Sequence, residues 1–155
     1  MTVRLSTALR NKLAGPTGFG TTFDKGVIYI YSGPQPLSAD HAVSGTLLGK
    51  VTVDGLPFSF GTATNGLNFA APVNGTVSKA VENWRFTGLA DGTAGWFRLM
   101  ANATDDLADD SATPNNPRLD GSIGVANADL NLSNLAVTTG APNTIDVFSF
   151  TIPAA

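Results

Sequence analysis

The stretch "GVIYIYSGPQP" at 26–36 constrains the fold more than any other in the chain. Five consecutive apolar residues, all of them β-branched or aromatic, run into a Ser-Gly-Pro-Gln-Pro breaker. In a strand, successive side chains point to opposite faces, so Val27, Tyr29 and Tyr31 take one side and Ile28 and Ile30 the other. A strand with one wet face alternates apolar with polar residues, and this one does not. It must be covered on both sides. Ile28 and Ile30 are expected to face a core of Phe-rich strands. The tyrosine side needs a second cover, and the N-terminal helix is expected to supply it, with a neighbouring subunit as the other option.

That helix is read from Leu5, Leu9 and Leu13, which recur every four residues with Ala8 beside them. Residues 1–14 form the predicted element, with Thr2 as N-cap and Gly15-Pro16 as the stop. Arg4, Arg10 and Lys12 occupy its other face. We treat it as an arm: its deletion is expected to leave residues 15–155 as one folded β-sandwich domain that no longer docks.

Beyond the link at 15–26 the pattern stays β. Strands are expected at 26–32, 46–53, 56–62, 83–88, 94–101, 121–126 and 143–152, and weaker ones at 67–71, 73–79, 128–132 and 134–138. Asp-Gly or Asn-Gly pairs at 54, 65, 74, 91 and 120 suit tight hairpins, and "VTVDGLPFSF" reads as the best of them. Residues 36–45 read as one helical turn capped by Ser38. Short strands at about ten-residue spacing, with turn signals between them, predict an all-β fold: a β-sandwich, Ig-like or jelly-roll-like, behind a short N-terminal α-helix.

The surface is unusual for its lack of charge. Charged residues make up 14% of the chain, against about 25% in ordinary soluble domains. Thr, Ser, Asn, Ala and Gly take their place, giving a surface that sheds water cheaply and suits packing against protein. Net charge is −3 with no basic run, which argues against nucleic-acid binding. The absence of cysteine excludes disulfides and thiolate chemistry. No segment approaches membrane-spanning length, and residues 1–15 lack the apolar stretch of a signal peptide. Synthesis in the cytoplasm without a signal peptide is the expectation.

Candidate chemistry is thin. Asp105, Asp106, Asp109 and Asp110 in "NATDDLADDS" are the one group of carboxylates that oxygen-liganded Ca²⁺ would recognise, but the spacing is not that of an EF-hand. A solvated acidic loop is the preferred reading, and no metal is assigned. The single histidine, His41, sits beside Asp40, where adjacency does not orient the pair as a catalytic dyad. Glu82, the only glutamate, has no obvious partner in the sequence. Three glycosylation-type triplets at 74–76, 102–104 and 131–133 are what chance gives in a chain this rich in Asn, Ser and Thr, and "GTLLGK" lacks phosphate-loop spacing. Tyr29, Tyr31, Trp84 and Trp96 would make a sugar-stacking platform if exposed; alternation makes them core residues. No cofactor and no catalytic residue is expected.

The two ends of the chain carry a resemblance. "STALRNKLAG", "GVIYIYSGPQPLSAD" and the later "RLDGSIGVANADLNLSNL" resemble small β-rich virion structural proteins of tailed bacteriophages, in which a leading helix precedes a G-x-h-x-I-Y-S-G-x-Q-P-x-S-A-D segment, h being apolar. Residues 55–115 lie outside the similarity. The resemblance implies a non-enzymatic capsid cement or decoration subunit located in the virion, with a neck or tail component as the alternative. From a different class, a carbohydrate-binding β-sandwich contacting the host surface is the other alternative. The implied partners are the major capsid protein or other virion proteins and further copies of the chain, with no nucleic acid and no membrane. Arg4, Leu5, Leu9, Arg10, Lys12, Leu13, Tyr29 and Tyr31 are the expected partner contacts.

Overall fold

The structure, a computed structural model, describes residues 3–154. Its elements in chain order are β1 (Arg4–Leu5), α1 (Thr7–Ala14), α2 (Phe19–Thr22), β2 (Val27–Ser32), β3 (Leu47–Val53), β4 (Thr76–Ser78) and β5 (Trp84–Thr87). They are followed by β6 (Gly92–Met100), β7 (Arg118–Gly124), β8 (Leu130–Asn131), β9 (Ala136–Val137), β10 (Pro142–Ile145) and β11 (Ser149–Thr151). The large sheet runs β1-β7-β6-β2-β3-β5-β10, with β8 joined to β7 and β9 to β6; β11 and β4 form a second, two-stranded sheet. All pairings are antiparallel except that of β7 with β8. The chain is thus all-β with a short helix near its N-terminus, and two sheets of unequal size pack across one core.

β2 is central, and both its faces are dry. Ile28 and Ile30 join the main core with Leu48, Phe97, Leu99 and Phe148. Val77 and Phe150, from the small sheet, close over the same side. Val27, Tyr29 and Tyr31 form a second cluster with Trp96 and Met100, packed by Val43, Leu47, Phe58, Phe60 and Leu107. The cover of the tyrosine face is therefore loop, not helix. It comes from segments 37–46, 54–66 and 101–117. Tyr31 stacks on Trp96 with centroids 4.7 Å apart, and Phe60 lies 6.0 Å from the Tyr29 ring.

This layout explains the one strong strand that fails to form. Asp54-Gly55 does make the expected turn, with φ values of 57° and 70°. The chain then leaves the sheet, because the edge of β3 beyond Val51 is taken by β5, through Thr52↔Arg85 and Val53↔Trp84. Residues 56–62 become a loop whose Phe58 and Phe60 cap the tyrosines. A run of alternating apolar residues serves lid and strand equally well, and pairing competition decides. Asn74-Gly75 makes the cleaner two-residue hairpin, with Val73 and Thr76 exchanging both backbone hydrogen bonds at 2.9 Å. The 36–45 segment, expected as one helical turn, forms no helix: it is a short turn in which His41 N donates to Ser38 O and the Ser38 hydroxyl accepts from Asp40 N.

The N-terminal helix is shorter than expected and differently placed. Arg4 and Leu5 pair with β7 as an edge strand. Ser6 caps α1, accepting from Leu9 N at 3.1 Å; the proposed cap Thr2 lies outside the described residues. Gly15 closes the helix by donating to Asn11 O. Leu9 is fully buried in the main core, on the Ile28/Ile30 side. The helix is part of the body rather than a detachable arm.

Candidate functional site

The acidic loop at 102–111 is the natural starting point, because it holds the densest carboxylates. Each has work inside the chain. Asp105 grips the Arg118 guanidinium with both oxygens, at 2.6 and 2.8 Å. Asp106 accepts from Ala108 N and Asp109 from Ser111 N, the Asx-turn bonds that this residue type favours. Asp110 accepts from the backbone of Asn115 and Asn116, at 2.8 Å each. Among the described residues no group of three or more potential ligands stands ready for a metal ion. The four aspartates shape the loop that presses Leu107 onto the tyrosine cluster.

Arg118 is the anchor of that loop. It is fully buried, donates to Ala108 O at 3.1 Å, and lies within 3.4 Å of three successive carbonyls, Ala39, Asp40 and His41. Burial alone would disfavour its charge, but the hydrogen bonds and the field of Asp105 outweigh it and hold the guanidinium protonated. One side chain from β7 thus fastens two of the three loops that cover the tyrosine face, 37–46 and 101–117. Beside it Arg98 and Asp120 form a second pair, fully buried, joined at 2.7 and 2.8 Å. Burial dominates at Asp120 and raises its pKa despite Arg98. Among the described residues Arg98 Nη1 has no hydrogen-bond partner, and its guanidinium lies 5.5 Å from the Trp96 ring centre.

The remaining titratable candidates are also engaged. Asp40 accepts from Thr7 N and Thr7 Oγ1, at 2.9 and 2.8 Å, tying the start of α1 to the 37–46 loop. Glu82, expected to lack a partner, accepts from Asn68 N, Asn68 Nδ2 and Trp84 Nε1, all at 2.8 Å. Burial raises its pKa, but these bonds win and leave it below the usual glutamate value.

The expected partner contacts divide sharply. Leu9, Tyr29 and Tyr31 are buried within the chain, as are Trp84 and Trp96, so no aromatic platform faces solvent among these four. Arg4 is half-buried and donates to Pro36 O. Leu5, Arg10 and Leu13 share one place: they line an apolar groove of about 500 Å³ opposite Phe150 and Ile152. Lys12 lies outside it, along a separate depression with Pro16 and Asn115. A second groove of about 390 Å³ continues from the first past Val3 and Thr151, reaching Leu119 and Asp129. Together they form a slot between β1 and β7 on one side and β11 on the other. Its walls are apolar around Leu5 and Leu13 and mixed past Thr151, with Arg10 at one end and Asp129 at the other. Ile152, half exposed, is the one large apolar residue at its mouth.

The chain's sequence hinted at half of this slot. The leucine stripe marked Leu5 and Leu13, but nothing in "FSFTIPAA" marked β11 as the facing wall. Arg98 and Arg118 went unread as buried charges, although a lone arginine between Phe97 and Leu99 in a doubly apolar strand is a signal that a buried carboxylate must meet it. No protein-family model, no curated protein and no solved structure matches the chain significantly. Among the described residues no helix is long and apolar enough to cross a membrane.

Proposed function

We propose that this protein is a structural subunit of a tailed-bacteriophage particle, most specifically a capsid cement or decoration subunit. It works by adding contact surface rather than by catalysis. The observation that carries this reading is the destination of the charged groups. Asp105, Asp110, Glu82, Arg98, Arg118 and Asp120 hold loops and strands together, and the open apolar slot is lined by the N- and C-terminal segments. A protein whose ionisable residues brace its fold, and whose surface is otherwise low in charge, is built to be rigid and to pack. The resemblance of "GVIYIYSGPQPLSAD" and "RLDGSIGVANADL" supplies the virion context, and the major capsid protein is the proposed partner. Repetition on a shell multiplies weak contacts through effective concentration.

The test is binding to purified heads and expanded capsids. The protein should cosediment with them and raise their melting temperature. Binding to isolated tails alone would move it to the neck or tail. Failure on every particle, together with binding to host glycans, would replace the reading.

A further inference from the structure

We infer that the slot between β1 and β11 takes an extended, acid-bearing apolar segment of a partner protein, which adds as a strand to the outer edge of β11. This rests on the docking reading above and names the chemistry of the contact.

The backbone phase of β11 is fixed by its pairing. Phe148 O accepts from Lys79 N and Ile152 N donates to Gly75 O, both at 2.9 Å, and Phe150 pairs with Val77. Residues 148, 150 and 152 therefore spend their backbone groups on β4 and its flanks. In an antiparallel ladder the alternate residues point theirs the other way. Ser149 and Thr151 thus offer N–H and C=O groups on the outer edge, and among the described residues no strand takes them. No residue of β4 lines either groove, whereas Thr151 lines both. The free edge faces the slot.

That edge is short, three residues with Pro153 just beyond Ile152, but it has no charge or bulge to blunt it. Natural edge strands are blunted by lysine, proline or a bulge, and "FSFTI" carries no charge, no proline and no register shift against β4. The walls add side-chain pockets: Leu5, Leu13 and Phe150 offer apolar contact to alternate residues of an incoming strand. Charge decides the occupant. α1 has two exposed cations, Arg10 and Lys12, and no acid; Arg10 stands at the end of the slot near Ile152 and, among the described residues, donates to Thr7 Oγ1 rather than to a carboxylate. A second copy pairing β11 with itself about a two-fold axis would run antiparallel and carry its own Arg10 to the opposite end, and the Phe148–Ile152 strand it brings here has no carboxylate to set beside this one. A partner strand with a carboxylate there gains a complement. Running antiparallel to β11, it places that carboxylate at its N-terminal end, with β-branched residues following, and keeps acids away from Asp129.

The experiment uses a blocked hexapeptide Asp-Val-Thr-Val-Thr-Val and its counterpart with Lys in place of Asp, titrated into the full-length protein and followed by amide NMR. The acidic peptide should shift the Ser149 and Thr151 amides and slow their hydrogen exchange. The lysine peptide should bind about fivefold more weakly, and Arg10→Glu should reverse that order. Thr151→Pro removes an N–H that the fold does not use, so melting should hold while peptide affinity falls about tenfold. Three results would overturn the inference. One is no shift at millimolar peptide. Another is binding indifferent to charge and to Thr151→Pro. The third is Ser149 and Thr151 amides already protected in a protein that sediments as a dimer, which would make a second copy the occupant. Thr151→Pro that still binds heads as wild type does would refute the slot and leave the structural role standing. Wild type that binds the acidic peptide selectively but ignores heads would support the slot and refute the phage context.

Discussion

Ser6 concentrates more of this fold than its size suggests. Its hydroxyl donates to Asn116 O and accepts from Leu9 N and Arg118 N, at 2.9, 3.1 and 2.9 Å. It caps a helix and closes the β1–β7 junction at once. Ser6→Ala should cost about 1–3 kcal/mol, more than a surface cap, because Arg118 N is left buried without a partner; urea unfolding measures it. Arg118 is the sharper case. Arg118→Met strands the Asp105 carboxylate and should cost about 3–5 kcal/mol, while the double variant Arg118→Met/Asp105→Leu should recover much of that loss. Glu82 supplies the pH dependence. Its pKa is lowered in the fold from an ordinary 4.5, so its stabilisation is present above that value and fades as pH falls through the lower folded value. Wild type should melt higher than Glu82→Gln at neutral pH, and the two curves should converge in acid.

At the scale of elements, the question is why a legible helix and a legible strand went to unexpected places. The leucine stripe was real, but Leu5 serves a strand and only Leu9 enters the core fully. Four-residue spacing cannot distinguish a helix from a strand-plus-helix when Ser6, between them, is a capping residue. Leu9→Ala should therefore cost about 2–5 kcal/mol. Deletion of residues 1–14 should yield an unfolded chain, contrary to the behaviour of an arm; circular dichroism distinguishes the outcomes. β2 was readable because an unbroken run of β-branched and aromatic residues suits a strand buried on both faces, and β5 because alternation and burial agree in it. Trp84 and Phe86 are buried while Arg85 and Thr87 are exposed, as their pattern requires. The segment 143–152 read as one strand is two, β10 and β11, which belong to different sheets. Asp146 and exposed Val147 sit at the crossing. Side-chain pattern reports burial, not which neighbour a backbone chooses.

For the whole molecule, the acidic loop is the instructive case. Four aspartates in six residues read as a solvated loop; that holds for the exposed Asp106 and Asp109, while Asp105 fastens the loop as a lid over Tyr29 and Tyr31. Sequence distance hid this, since the ties run from 105 to 118 and from 118 back to 39–41. The slot was hidden in the same way, made by the first and last dozen residues meeting across the edge of the sandwich. A domain braced by internal ion pairs, doubly covered at its central strand and open along one apolar slot suits permanent contact. The central claim is that this contact is made in a virion. Quantitative mass spectrometry of purified particles from a phage that encodes the chain tests it most directly. The account predicts the protein in fixed stoichiometry to the major capsid protein, retained through gradient purification. Its absence from such particles, in cells that synthesise it, would contradict the account.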